Sequence, residues 1–328
     1  MANIQRHFDA FHRNIRLSRE ETRTLQQKRD IICNKLEVRL PRMFEEADME
    51  CPRFGFRDQG SYEMKTGTIP LFGGFDIDLG TYFEIDHNDY DPVGLKRVVH
   101  DALKGHTKEV TIRRPCVTVQ YQHAGEPAYH VDIAVYADGS QCRDGLPRLA
   151  MGKDRSGENY CGWQVSDAMA LRSEILGAYS REELTQFRHV VKYLKRWKDV
   201  RFKPQGNGAP RGIALTVACS QHFTAEFFRD GTPDDLGALI QVVSGLLESF
   251  TVRNASGLFG ATSYDVQITL PVEPYSDLCE RMTSQQVEQF YKQLESLYDV
   301  LDTVRRGRSQ EKACQRLRRV FGTSFPCL

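Results

Sequence analysis

The chain has 328 residues, of which 40% are apolar and 27% charged; Lys+Arg and Asp+Glu both number 44, so the net charge is zero. A chain of this length can bury roughly three quarters of its unfolded surface, so it needs neither disulfides nor metal staples to hold a core. The composition excludes disordered and fibrous classes, and the charge balance excludes a general basic coat for nucleic acid while leaving local patches open. No stretch reaches the ~18 consecutive apolar residues of a membrane span, and the opening MANIQRHFDAFHRN lacks the apolar core of a secretory signal. The nine cysteines are odd in number, scattered and never spaced C-x-x-C. They read as free thiols of a reducing compartment, so the expected location is cytoplasmic; a disulfide scaffold or a thiolate zinc site is disfavoured.

The first forty residues read as one long helix. Ile4, Phe8, Phe11 and Ile15 recur at three- and four-residue spacing, Leu25, Ile32 and Leu36 continue the stripe, and Pro41 stands where the helix should stop. From about 54 to 140 the period becomes two. FDIDLGTYFEI (75–85), EVTIRRPCVTVQY (109–121) and HVDIAVYA (130–137) are predicted strands of a sheet half covered by helices. Between the first two, Asp91 before Pro92 and the closing Gly105 mark a helix. The Gly-rich MGKDRSGENYCGW (151–163) is expected to be a loop or hinge. Beyond it the pattern is helical over 181–200, 212–223, 234–250 and 283–301. An α+β chain results: a mixed-sheet half, 1–165, includes the N-terminal helix, and a helical half, 166–328, closes a cleft between them.

The chemistry is concentrated in QGSYEMKTGTIPLFGGFDIDLGTYFEI (59–85). Asp76 and Asp78 are two apart, so on a strand both leave the same face. Two carboxylates side by side with no Lys or Arg between them repel unless a cation intervenes, and hard oxygen ligands suit Mg²⁺. Asp132, flanked by apolar residues on the third predicted strand, supplies another carboxylate. Three such groups can hold two metal ions about 3.5–4 Å apart, an arrangement that activates a hydroxyl and stabilises a leaving phosphate. Upstream, Gly60-Ser61 forms a turn whose N–H groups and hydroxyl can cradle phosphate oxygens, with Lys65 and Thr68 close behind.

This combination resembles the nucleotidyltransferase superfamily of DNA polymerase β. RFGFRDQGSYEMKTGT and FDIDLGTYF, together with HVDIAVYA, GWQVSDA, VKYLKRWKD, TLPVEPYSDLCERM and the closing VFGTSFP, are similar to the bacterial cGAS/DncV-like enzymes. The resemblance runs along essentially the whole chain. It implies a two-lobed polymerase-β-like fold bridged by a long N-terminal helix, and a templateless, Mg²⁺-dependent synthesis of cyclic di- or trinucleotide second messengers from NTPs in antiphage (CBASS) systems. It further implies that Asp76, Asp78 and Asp132 ligate two Mg²⁺ ions (Mn²⁺ substituting), with Asp132 beside the attacking hydroxyl. Gln59, Gly60, Ser61 and Lys65 would hold the triphosphate, with Lys195 reaching it from the helical lobe. CBASS accessory proteins, acting by C-terminal conjugation or peptide sensing, are the implied partners.

In one place the sequence departs from the family. The helix after LKRW commonly opens with Ser, Gln or Tyr, whereas here PRGIAL gives Gly212 and Ile213, with Arg211 a weak substitute. His130, next but one to Asp132, is expected on the opposite face of the strand, in the core. GKDRSG (152–157) lacks the order of a phosphate-binding P-loop and is expected to be a turn; RRGRSQEKACQRLRRV (305–320) is expected to be an exposed basic helix face. No clustered His/Cys set suggests a zinc thumb, so no DNA activator is expected. The alternatives are a linear, oligoadenylate-type synthase, a tRNA nucleotidyltransferase disfavoured by the zero net charge, and a catalytically silent nucleotide sensor.

Overall fold

The computed structural model describes residues 4–123, 126–155, 157, 160–202, 208–254 and 262–327. Its N-terminal stripe forms two helices rather than one: α1 (Gln5–Ile15) and α2 (Arg19–Glu46). The break is encoded by Ser18. Its side chain accepts from the Glu21 N–H while the Glu21 carboxylate accepts from the Ser18 N–H, a reciprocal cap that starts a helix afresh. Pro41 does not stop α2, which runs on to Glu46. Pro41 and Glu37 both lie on the solvent side, so the carbonyl that Pro41 leaves without an amide partner can be hydrated.

The two helices serve different cores. Ile4, which caps α1, and Phe8, Phe11 and Ile15 within it pack in the core of the C-terminal helices, with Phe11 against Tyr193, Phe321 and Phe325. Leu25, Ile32, Leu36 and Leu40 of α2 pack with the sheet.

The sheet has seven strands, in the order β1 (Phe54–Gln59), β2 (Phe75–Phe83), β5 (Glu126–Ala137), β4 (Val117–His123), β3 (Glu109–Ile112), with β6 (Arg148–Met151) pairing β5 and β7 (Gly162–Val165) pairing β6. Among the described residues of this sheet only β2 and β5 run parallel, and the other pairings are antiparallel. Helix α4 (Pro92–Leu103) starts at the Asp91 cap and crosses one face. Its inward Lys96 is fully buried and donates to the carbonyls of Arg113, Arg114 and Gly152, pinning the β3–β4 turn to the β6 end. Two readings change here. The single strand expected over 109–121 is a hairpin reversing at Arg113–Cys116, where the Arg113 N–H donates to the Cys116 carbonyl and Pro115 cannot continue a ladder. The loop or hinge expected over 151–163 is the connection from β6 to β7 and gives its ends to those strands, Met151 pairing with Gly162; residues 156, 158 and 159 lie outside the described residues.

The C-terminal lobe comprises α5 (Ala168–Gly177), α6 (Arg181–Arg201), α7 (Gly212–His222), α8 (Asp235–Glu248), the ribbon β8 (Phe250–Asn254) and β9 (Thr262–Val266), α9 (Ser284–Arg306) and α10 (Gln310–Phe321). Helix α6 is its axis, with Phe187, Val190, Val191, Leu194 and Trp197 inside. The basic tail is amphipathic: α10 exposes its arginines but buries Ala313, Leu317, Val320 and Phe321. Among the described residues no helix is long and apolar enough to cross a membrane, and all nine cysteines are free thiols.

Because Phe11 is fully buried and touches three aromatic rings, Phe11→Ala should destabilise the helical lobe by about 3–5 kcal/mol, read by chemical denaturation.

Candidate active site

The parallel pairing of β2 with β5 builds the site. In register, Asp76 lies beside His130 and Asp78 beside Asp132, and the alternation of each strand puts all four on one face. His130 is therefore not in the core. Residues i and i+2 share a face, so His130 stands with Asp132, and its Nε2 lies 3.1 Å from Asp76 Oδ1. Ligand atoms of Asp76, His130 and Asp132 all fall within 4.8 Å of one another. The Thr118 hydroxyl, across on β4, donates to Asp132 Oδ1 at 2.5 Å and fixes that carboxylate.

The electrostatics are those of an uncompensated carboxylate cluster. Burial, then the charges of Asp76 and Asp132, raise Asp78 well above the usual carboxylate range; Lys195 and His130 offset this only in part. His130 is itself raised, chiefly by its hydrogen bond to Asp76. No Lys or Arg side chain donates to any of the three Asp side chains among the described residues. A donor set of carboxylate oxygens with unmet negative charge fits a hard divalent cation, and the imidazole nitrogen adds a donor that Mn²⁺ accepts more readily than Mg²⁺.

Facing the carboxylates across a cavity of about 360 Å³ is the turn at Gly60-Ser61, the start of the one-turn helix α3 (Gly60–Glu63). Gly60 has φ +62, and a Cβ there would overlap Asp78 Oδ2, so only glycine lets the turn approach the carboxylate. The loop after it is held from the other lobe. Arg188 Nε donates to the Met64 carbonyl at 3.0 Å, Arg196 Nη2 to the Ile69 carbonyl at 2.6 Å, and Arg172 Nε lies 2.6 Å from Glu63. Lys195 Nζ donates to the Thr66 carbonyl at 3.2 Å and its hydroxyl at 3.1 Å. Burial and the nearby Lys198 lower Lys195 to about 8, against the opposing pull of Asp78.

Gly60, Ser61, Thr68, Asp76, Asp78 and Lys195 thus line one cleft. Two expected triphosphate contacts lie elsewhere. The Gln59 amide runs over Gly80, donates to the Tyr82 hydroxyl at 2.6 Å and accepts from Tyr136, so it supports the turn from behind. Lys65, at φ +58, lines a neighbouring cavity. Gly212 and Ile213 do reach the cleft, at the start of α7, and Thr216 one turn later brings a hydroxyl. That hydroxyl donates to the Gly212 carbonyl at 3.0 Å, which leaves its oxygen free to accept. Thr66, Thr216 and the pair Lys198–Asp199 were not legible as cleft residues; of these only Thr216 carried a signal, its one-turn spacing from Gly212.

Residues 54–136 match the model of the family described as "Cyclic GMP-AMP synthase DncV-like, nucleotidyltransferase domain". A cyclic GMP-AMP synthase of Escherichia albertii is 26% identical over 174 residues, covering 50% of this chain and 36% of that protein, so the chain matches little more than a third of its relative's length. Among solved structures, the DncV cyclic AMP-GMP synthase of Vibrio cholerae superposes with a TM-score of 0.68 at 16% identity, over 95% of this chain and 93% of that one. CdnC of Escherichia coli MS115-1, solved with ATP, gives 0.67 at 18% identity over 98% of both chains. The fold is the two-lobed polymerase-β-like nucleotidyltransferase fold. Within that fold, the sequence over 54–136 is similar to the DncV-like nucleotidyltransferase domain, and the chain as a whole shares the fold of the DncV and CdnC structures.

Two measurements check the site. Removing His130 (His130→Ala) should weaken Mn²⁺ binding roughly tenfold or more, read by calorimetry, as loss of a group that orients a ligand does. The raised pKa of Asp78 means the folded protein holds a proton that the unfolded chain releases at lower pH, so Asp78 costs stability as pH rises above the unfolded value. Asp78→Asn should therefore raise the metal-free Tm at pH 8, by roughly 2–4 °C for each kcal/mol recovered, with little change at pH 4.

Proposed function

We propose that this protein is a templateless, Mg²⁺-dependent nucleotidyltransferase that joins NTPs into a cyclic di- or trinucleotide second messenger. The observation that carries this reading is the single cleft in which Asp76 and Asp78 face Gly60-Ser61 and Lys195. Two divalent cations held by Asp76, Asp78 and Asp132 would supply charge stabilisation to the α-phosphate and to the leaving pyrophosphate. Ser61 and the turn amides orient the donor triphosphate, and Lys195 neutralises it from the helical lobe. The acceptor ribose hydroxyl attacks the α-phosphorus, one P–O bond forms, the α–β P–O bond breaks, and Asp132 takes the hydroxyl proton. Repetition between the linked nucleotides closes the ring. Residues 1–165 act as the catalytic lobe and 166–328 as the closing lobe, in the cytoplasm, with antiphage defence as the setting and CBASS accessory proteins as partners.

The relatives support this reading by what they bind: the Vibrio cholerae enzyme has been solved with the linear intermediate 5′ pppA(3′,5′)pG, and CdnC with ATP. A linear synthase shares the same cleft and is the rival.

Purified protein incubated with the four NTPs and Mg²⁺, then treated with phosphatase, should yield resistant products at cyclic di- or trinucleotide masses. Phosphatase-sensitive products alone would favour the linear synthase. Asp76→Ala and Asp132→Ala should abolish product with an unchanged circular dichroism spectrum, and Lys195→Ala should lower kcat/KM by about 10²–10³. Unchanged turnover in folded Asp76→Ala protein would overturn the assignment.

A further inference from the structure

Behind the Ser61–Gly67 loop lies a second cavity of about 470 Å³, walled by the α1–α2 break, α3 and α6. It shares Leu17, Ser61, Tyr62 and Gly67 with the cleft, so the loop is a partition between two chambers. Its charges do not balance. The carboxylates on its wall, Asp58 and Glu63, are paired with Arg29 at 3.2 Å and Arg172 at 2.6 Å. Arg16, Lys65 and Lys192 remain, with no side-chain hydrogen bond or ion pair among the described residues.

Lys192 is the informative member. It is only 9% exposed, and the charges around it are the cations Arg188, Lys195 and Arg16, which together with burial lower it to about 8. His12, also on the wall, is kept neutral by burial and by His189, whose ring centroid lies 3.8 Å away at a tilt of 32°, and its Nε2 is sealed from solvent without a partner. A buried ammonium with no counter-charge costs folding stability, so a fold that keeps one has an anion to set against it. Three unpaired cations around one chamber exceed what a single carboxylate would neutralise.

We propose that this cavity binds a polyphosphate-bearing small molecule, gripped from within by Lys192 and at the rim by Arg16 and Lys65. The phosphates could belong to free polyphosphate or to a nucleotide, and the test separates the two.

Calorimetric titration in EDTA, where the carboxylate cleft has no cation to use, would compare inorganic tripolyphosphate with ATP. We expect saturable binding that weakens at least tenfold in Lys192→Met and in Arg16→Gln and survives in Asp76→Asn. Equal affinities would assign recognition to the phosphates alone; tighter binding of ATP would assign the nucleotide. Lys192→Met should also raise the ligand-free Tm, since it removes an unpaired buried charge. Binding that persists in Lys192→Met and disappears in Lys195→Ala would assign the anion to the cleft and overturn the proposal, as would a ligand-free Tm that falls. None of these readings requires turnover, so their failure leaves the synthase reading standing, and an inactive synthase leaves this site standing.

Discussion

Mutual repulsion among Asp76, Asp78 and Asp132 is the constraint around which the sheet lobe is arranged. The parallel register of β2 and β5 forces the carboxylates together, and Gly60 brings the turn amides against Asp78. The result is a site under electrostatic stress: Asp78 is displaced from its ordinary ionisation, and Lys195 supplies only partial relief from the opposite wall. Such stress is unfavourable for folding and favourable for capturing a divalent cation. His130 adds a polar tether on Asp76, keeping the most exposed carboxylate oriented.

The helical lobe contributes mainly by holding the loop that faces the carboxylates. Four of its basic side chains reach across to residues 63–69, three of them to main-chain carbonyls. Backbone carbonyls are available whatever the side-chain sequence of the loop, so the clamp fixes the path of the chain and leaves the side chains of Ser61 and Thr68 to the cleft. One loop thereby senses both lobes and both chambers.

Much of this was legible in the sequence, and the failures have physical causes. The D-x-D pair, Gly60-Ser61 and Asp132 could be read because strand period and turn chemistry are local rules. His130 departs from the expected core position because the same period that unites Asp76 with Asp78 unites His130 with Asp132. The break at Ser18 carried a capping-box signature that the continuous apolar stripe obscured. The hairpin at Arg113–Cys116 was marked by Pro115. By contrast, Lys195 on Thr66, the Gln59 amide on Tyr82, and the turning away of Lys65 depend on contacts between distant segments or on an unusual φ, and no local pattern encodes them.

The division of the N-terminal segment between two cores has a mechanical consequence. With Phe8 and Phe11 anchored in one lobe and Leu25 and Ile32 in the other, any change in the gap between lobes must be absorbed over Arg16–Ser18. The reciprocal cap at Ser18 lets this joint bend without unwinding the first turn of α2, because the amides there keep their own partners. The joint also sits on the loop that follows Gly60-Ser61, through the Ile69 N–H to the Ile15 carbonyl at 2.8 Å and the Arg16–Thr68 bridge. Strain applied at the spine is thus delivered directly to the floor of the carboxylate cleft, and whatever grips Arg16 from outside acts as a lever on it.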